Sequence, residues 1–250
     1  MTDHILIERP EAASQLLIIR LNRPEKKNAL TRAMYQAMTS ALQMADETPD
    51  IRVVVFLGSE GCFSAGNDMA DFLAFATSGE MGREVLDFLK ALVRLTKPVV
   101  SGVDGLAIGI GATIHLHCDL TVASDRSLFK TPFVDLALVP EAASSLIAPR
   151  LMGHQRAFAL LALGDAFSAE EARDAGLIRK VTTSDAVEAE TLALAAKLAA
   201  KPPEALRLAR KLIKGSPDEI IACIDDEAKL FASQLKTAEA RAAFEAFMKR

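Results

Sequence analysis

Strand-like and helix-like hydrophobic patterns alternate through the first part of the chain. "HILIER" (4–9) and "QLLIIRL" (15–21) are short apolar runs of strand length. "TRAMYQAMTSALQMAD" (31–46) places Met34, Ala37, Met38, Ala41, Leu42 and Ala45 on one helical face, with Thr31 set to cap its start. "RVVVFLGS" (52–59) is apolar without alternation and ends in glycine, the pattern of a strand buried on both faces. "PVVSGVDG" (98–105) and "LTVAS" (120–124) look similar, with "GATIHLHC" (111–118) between them as a short helix. Strands alternating with helices predict an α/β layered fold.

After about residue 145 the pattern is mostly helical. "SAEEARDAG" (168–176) carries a capping box, Ser168 with Glu171, and a stopping glycine, Gly176. "AVEAETLALAAKLAA" (186–200) and "PPEALRLARKLIKG" (202–215) are amphipathic, broken at Pro202–Pro203. "PDEIIACIDDEAKLFASQL" (217–235) and "TAEARAAFEAFMKR" (237–250) complete the chain. The expected organisation is an α/β core over residues 1–195 and a helical region over 196–250.

Composition narrows the class. Half of the 250 residues are apolar, so a large core is within reach, and the formal net charge is -4. That charge gives no broad basic footprint for nucleic acid. Three cysteines without CxxC spacing read as free thiols in a reducing compartment. No secretory h-region, bilayer-length apolar run or C-terminal "SKL" is present, so a soluble cytoplasmic protein is expected.

Three segments could carry chemistry. "GCFSAGNDM" (61–69) follows a buried strand with glycines that let the backbone approach a ligand, or else it is a tight loop. Its serine spacing is not that of a nucleophile elbow. "GLAIGIGATIHLHCDL" (105–120) lacks the third glycine of a dinucleotide loop and the G-K-[ST] of a P-loop. It reads as a glycine turn opening a short helix, whose first N–H groups suit negative charge. His115 and His117 lie two apart, face different ways on a helix and read as core histidines, with Cys118 as an apolar neighbour. "TPFVDLALVPEAASS" (131–145) puts Glu141 among apolar and small residues. Glu141 is either a solvated loop residue or a base whose pKa is raised by lost solvation.

In this order, these segments resemble the crotonase superfamily of enoyl-CoA hydratases and isomerases. The resemblance begins at "LNRPEKKNALT" (21–31), runs through the three segments above, and extends to "ALLALGDAFSAEEARDAGLIRKV" (159–181). It implies a spiral of ββα units with a helical trimerisation region, assembled as a homotrimer or a dimer of trimers. It implies an acyl-CoA thioester substrate, with no metal and no separate cofactor, because coenzyme A belongs to the substrate. It places the oxyanion hole at the backbone N–H groups of Asn67 and Ile110. Lys26, Lys27, Ala29 and Leu30 would lie along the coenzyme A moiety, the lysines as point charges for phosphate. Ala65, Gly66, Asp68, Met69, Gly109, Phe133 and Leu136 would also meet the substrate.

Hydratases of this superfamily use two glutamates, and those two positions are Thr113 and Phe133 here. "TPF…PEAASS" is instead similar to the Δ3,Δ2-enoyl-CoA isomerase branch, where one glutamate in the place of Glu141 handles the proton. Isomerisation of a 3-enoyl-CoA to a 2-enoyl-CoA is therefore the expected activity. The alternatives are an enoyl-CoA hydratase and a non-catalytic acyl-CoA-binding member of the fold. Phe72, Phe75 and Leu86 either line the acyl-tail pocket or simply belong to the core.

Overall fold

The computed structural model describes residues 2–71 and 82–248. Among the described residues, ten strands form two sheets. β1 (Ile5–Glu8), β2 (Leu16–Leu21), β3 (Val53–Leu57), β5 (Val99–Val103), β7 (Leu120–Ser124) and β10 (Lys180–Thr182) form the larger sheet in the order β1-β2-β3-β5-β7-β10. β4 (Cys62–Ser64), β6 (Leu106–Ile108), β8 (Leu128–Lys130) and β9 (Phe167–Ser168) form the smaller sheet in the order β4-β6-β8-β9. Among the described strands of these sheets, only the β1–β2 and β8–β9 pairings are antiparallel. From β3 to β8 the chain alternates between sheets, adding one strand to each per turn, which is the expected spiral.

The unbroken apolar run of β3 has a direct cause. Val54 and Phe56 enter the main core, while Val53, Val55 and Leu57 enter a second cluster on the opposite face. α7 (Val187–Ala199) closes that second cluster through Ala195 and Ala199. A strand covered on both sides has no polar face to write into its sequence.

α1 (Arg32–Glu47) is capped by Thr31, whose side chain accepts from the Met34 N–H. Its buried face holds Met34, Met38, Ala41, Leu42 and Ala45, as expected, and also Tyr35. α2 (Arg83–Arg94) carries Leu86, which packs part-buried against the main core. Phe72 and Phe75 lie outside the described residues. α3 (Ile110–Thr113) runs into a 3-10 turn at Ile114–Leu116, the short helix expected there. The segment 62–64, read from sequence as loop, is strand β4, too short for a period to reveal.

The second half is helical: α4 (Ser144–Met152), α5 (His154–Phe158), α6 (Ala169–Asp174) with its capping box, α8 (Pro203–Lys214), α9 (Pro217–Leu235) and α10 (Ala238–Met248). A division after residue 195 falls inside α7. Ile224, Phe231 and Leu235 of α9 and Phe244 of α10 join the main core, so these helices wall the site rather than stand apart. Asp119 joins α8 to the sheets, accepting from the Val99 N–H at 2.7 Å and from Arg210 Nε at 2.8 Å. Among the described residues, no helix is long and apolar enough to cross a membrane.

Candidate active site

Two glycine turns shape one wall of a cavity of about 610 Å³. Gly66 has φ +95°, and a Cβ there would lie 3.0 Å from the Ile108 carbonyl oxygen. The Leu30 N–H donates to the Gly66 carbonyl at 2.8 Å, and the Asp68 N–H donates to the Leu30 carbonyl at 2.9 Å. In such a parallel bridge the intervening residue points its own amide the other way. The Asn67 N–H is thereby turned from Leu30 on a residue that lines the cavity.

Gly109, with φ +57°, opens α3. Its N–H donates to the Lys130 carbonyl at 2.8 Å, and its own carbonyl accepts from Ala112 and Thr113. Ile110 is the first residue of the helix, so its N–H has no acceptor within that turn. A Cβ on Gly109 would lie 4.0 Å from the Gly66 Cα, so the two turns meet and bring both amides to one cavity.

The same helical turn reaches the acid. Thr113 lies three residues after Ile110, on the same side of the helix. Its Oγ1 donates to Glu141 Oε1 at 2.6 Å. Glu141 is buried, with 9% of its surface exposed, and lines the cavity. Burial pushes its carboxyl up to about 8; the Thr113 hydroxyl pulls against that shift, and the charge of Glu227 adds to it.

The backbone after Glu141 is held from behind. Ala142 and Ala143 both have left-handed φ, 62° and 53°, with no glycine to ease them. The Ala143 N–H donates to Glu227 Oε2 at 2.6 Å, and the Ser145 N–H and hydroxyl donate to Glu227 Oε1 at 3.0 and 2.5 Å. Glu227, on α9, is 6% exposed. His117 Nε2 lies 2.7 Å from the Ala142 carbonyl oxygen. A carbonyl only accepts, so the ring nitrogen carries the hydrogen. Burial holds the His117 ring down to about 4, and hence neutral.

Glu141, Asn67, Ile110, Ala29, Ala65, Gly66, Met69, Gly109, Phe133 and Leu136 all line the cavity. Four expected contacts fall outside that lining. Leu30 is 3% exposed and packs in the main core, because its backbone is tied to the Gly66–Asn67 strand edge. Asp68 turns its carboxylate to Arg23 Nη1 at 2.6 Å. Lys26 and Lys27 sit exposed on the loop before Asn28. His115 is buried with Nδ1 3.0 Å from Ser101 Oγ, so the two histidines turn to different partners. Cys118 is half-buried against the core, and burial pushes its thiol up to about 11.

Sequence reasoning missed three participants. Thr113 counted only as an absent carboxylate, and neither Glu227 nor Tyr35 was singled out. Only Tyr35 left a usable signal, as an aromatic hydroxyl amid a helix's apolar face.

The fold and site define a member of the crotonase superfamily. The chain belongs to the enoyl-CoA hydratase/isomerase family, whose sequence model matches residues 11–250. It is 36% identical over 216 residues to enoyl-CoA delta isomerase 2 of Rattus norvegicus, covering 84% of this chain and 54% of that protein. The chain thus spans about half the length of that relative. It is 30% identical over 240 residues to 2,3-dehydroadipyl-CoA hydratase of Escherichia coli (strain K12), covering 94% of this chain and 93% of that one. The solved structure of Pseudomonas aeruginosa OdaA matches at a TM-score of 0.93 and 39% identity, covering 100% of both chains. Isomerase and hydratase names both occur among the relatives, so similarity leaves the reaction to be argued from the site.

Proposed function

We propose that the protein is a Δ3,Δ2-enoyl-CoA isomerase acting on fatty acyl thioesters of coenzyme A. The observation that carries this reading is the pairing of Glu141 with Thr113. The residue in the place of the first hydratase glutamate is a hydroxyl that holds a single buried carboxyl. The second hydratase position is Phe133, buried and apolar. Among the described lining residues the one other carboxylate is Asp135, whose side chain is 54% exposed and sits 3.6 Å from Lys130 Nζ.

In this mechanism the thioester oxygen lies between the Asn67 and Ile110 amides. Glu141 removes a proton from C2, and the electron pair moves into the thioester to give a dienolate. The two N–H groups stabilise the growing oxyanion. Glu141 then returns the proton at C4, and the double bond settles between C2 and C3. A carboxyl raised to about 8 suits both steps, since it binds and releases the same proton near neutral pH. No water is consumed, so a second carboxylate has no task. The apolar lining from Met69, Leu138, Phe231 and Phe244 suits a fatty chain and keeps water from the dienolate.

Coenzyme A enters as part of the substrate, and the reading calls for no metal or further cofactor. Self-association through the helical region also belongs to it, supported by Leu212 and Ile213 of α8, which are 84% and 85% exposed. The test is Glu141→Gln assayed with a 3-enoyl-CoA. A sole base predicts a loss of more than about 10²-fold in kcat. Near-normal turnover would sink the assignment.

A further inference from the structure

We infer that Tyr35 is a positioning residue for the Asn67 amide, acting through the Asn67 side chain. The inference rests on the reading of Asn67 as an oxyanion donor. Tyr35 is the only tyrosine in a chain with twelve phenylalanines and no tryptophan. It is 1% exposed on α1, with its ring centroid 5.6 Å from that of Phe88. Phenylalanine would fill that space as well, so the hydroxyl is the informative atom.

Tyr35 Oη lies 2.5 Å from Asn67 Oδ1. A carboxamide oxygen only accepts, so the phenol donates. Asn67 is therefore tied twice to one short stretch of chain. Its neighbours Gly66 and Asp68 bond the Leu30 backbone, and its side chain bonds Tyr35, one turn into the helix that Thr31 caps. Without the hydroxyl, the carboxamide can rotate into the cavity that Asn67 lines. The turn carrying the oxyanion donor is then held through its backbone alone, by Leu30 and by Ser64 Oγ, which accepts from the Gly66 N–H at 3.1 Å.

The phenol also lies within the field of the base. Burial first, and the Glu141 charge second, push Tyr35 well above its ordinary pKa, so it stays a neutral donor. Thr113 on α3 and Glu227 on α9 act on Glu141, and the Glu141 charge in turn reaches Tyr35 on α1. A phenol that merely satisfied a buried acceptor would affect stability alone. One that positions the amide affects turnover.

The experiment uses Tyr35→Phe, Asn67→Ala and the double variant, assayed with a 3-enoyl-CoA. Tyr35→Phe is expected to lower kcat about tenfold with little change in KM, and its unfolding midpoint should stay close to wild type. The double variant should lose no more than Asn67→Ala alone, because Tyr35 acts through that side chain. Wild-type kcat in a folded Tyr35→Phe, or losses that multiply in the double variant, would overturn the inference.

A second readout needs no turnover. With one tyrosine and no tryptophan, the near-UV tyrosine band of the whole protein reports this ring alone. It should shift with a midpoint of about 8 as Glu141 ionises, and the shift should vanish in Glu141→Gln. A tyrosine band left unchanged by Asn67→Ala would equally overturn the inference, since it would leave no bond between the two side chains. Activity retained in Glu141→Gln would instead overturn the isomerase reading, leaving the double-variant comparison to be read with whichever thioester is turned over.

Discussion

The amide half of the site, at Gly66–Asn67 and Gly109–Ile110, takes its shape from glycine. The carboxylate half, at Glu141–Ala143, takes the same kind of backbone from alanine. Glycine reaches positive φ without a Cβ penalty, so each amide turn is made where it stands. A left-handed alanine costs about 1–2 kcal/mol, and Ala142 and Ala143 stand in series. Their conformation is held by partners far along the chain, Glu227 at 84 residues' separation and His117. One half therefore needs no partner to offset backbone strain. The other depends on α9 being docked, which couples the base to the helical region.

The largest break in this comparison should come from the glycine side. Gly66→Ala puts a Cβ against the Ile108 carbonyl at a φ that alanine resists. Displacing the Asn67 donor is expected to cost about 10²-fold in kcat, measured on folded protein with a 3-enoyl-CoA. A loss smaller than a few-fold would show that Asn67 donates nothing to the transition state.

The next effect belongs to the alanine side. Glu227→Ala leaves the buried Ala143 N–H and the more accessible Ser145 N–H and hydroxyl without their acceptor, so urea unfolding should show a loss of roughly 1–2 kcal/mol. The Glu141 loop should loosen, with kcat falling about tenfold. Unchanged stability would mean that the loop holds itself.

A smaller shift separates the two influences on Glu141. Thr113→Val removes the hydroxyl that lowers the carboxyl's pKa, so the kcat/KM–pH profile should move to higher pH. Glu227→Gln removes a charge that raises it, so that profile should move to lower pH. Shifts of the same sign would refute this division of roles.

The most gradual effect is on folding, spread over several pH units. Glu141 has a folded pKa of about 8 against an ordinary 4.5, so the native state binds more protons between those values. Stability should therefore fall as pH rises from about 4.5 to about 8, by on the order of 1 kcal/mol per pH unit at most. Glu141→Gln should lack that slope in urea unfolding followed across this range. An identical slope in wild type and variant would mean that the carboxyl titrates normally.

The same contrast explains what could be read from sequence. Gly66 and Gly109 mark their turns because the residue that makes the turn is the residue that permits it. Glu141 was visible as a charge in apolar company. Its environment was not, because Thr113, His117 and Glu227 meet it only after α3 and α9 pack. Tyr35 was overlooked because the periodic face of α1 is aliphatic and closes without it. Five strands of the larger sheet were legible as apolar runs, but β10, three residues long and partly exposed, was not. The smaller sheet, with strands of two or three residues, has too little length for a period and became expected only through the superfamily resemblance.

The central claim is that one buried carboxyl and two amides move a double bond without adding water. The most direct test gives the wild-type protein a 3-enoyl-CoA and, separately, a 2-enoyl-CoA of the same chain length, and follows the conjugated thioester absorbance. The account predicts rapid growth of absorbance from the 3-enoyl substrate and almost no loss from the 2-enoyl one. Loss of the 2-enoyl absorbance at a comparable rate, with formation of the 3-hydroxyacyl product, would contradict it.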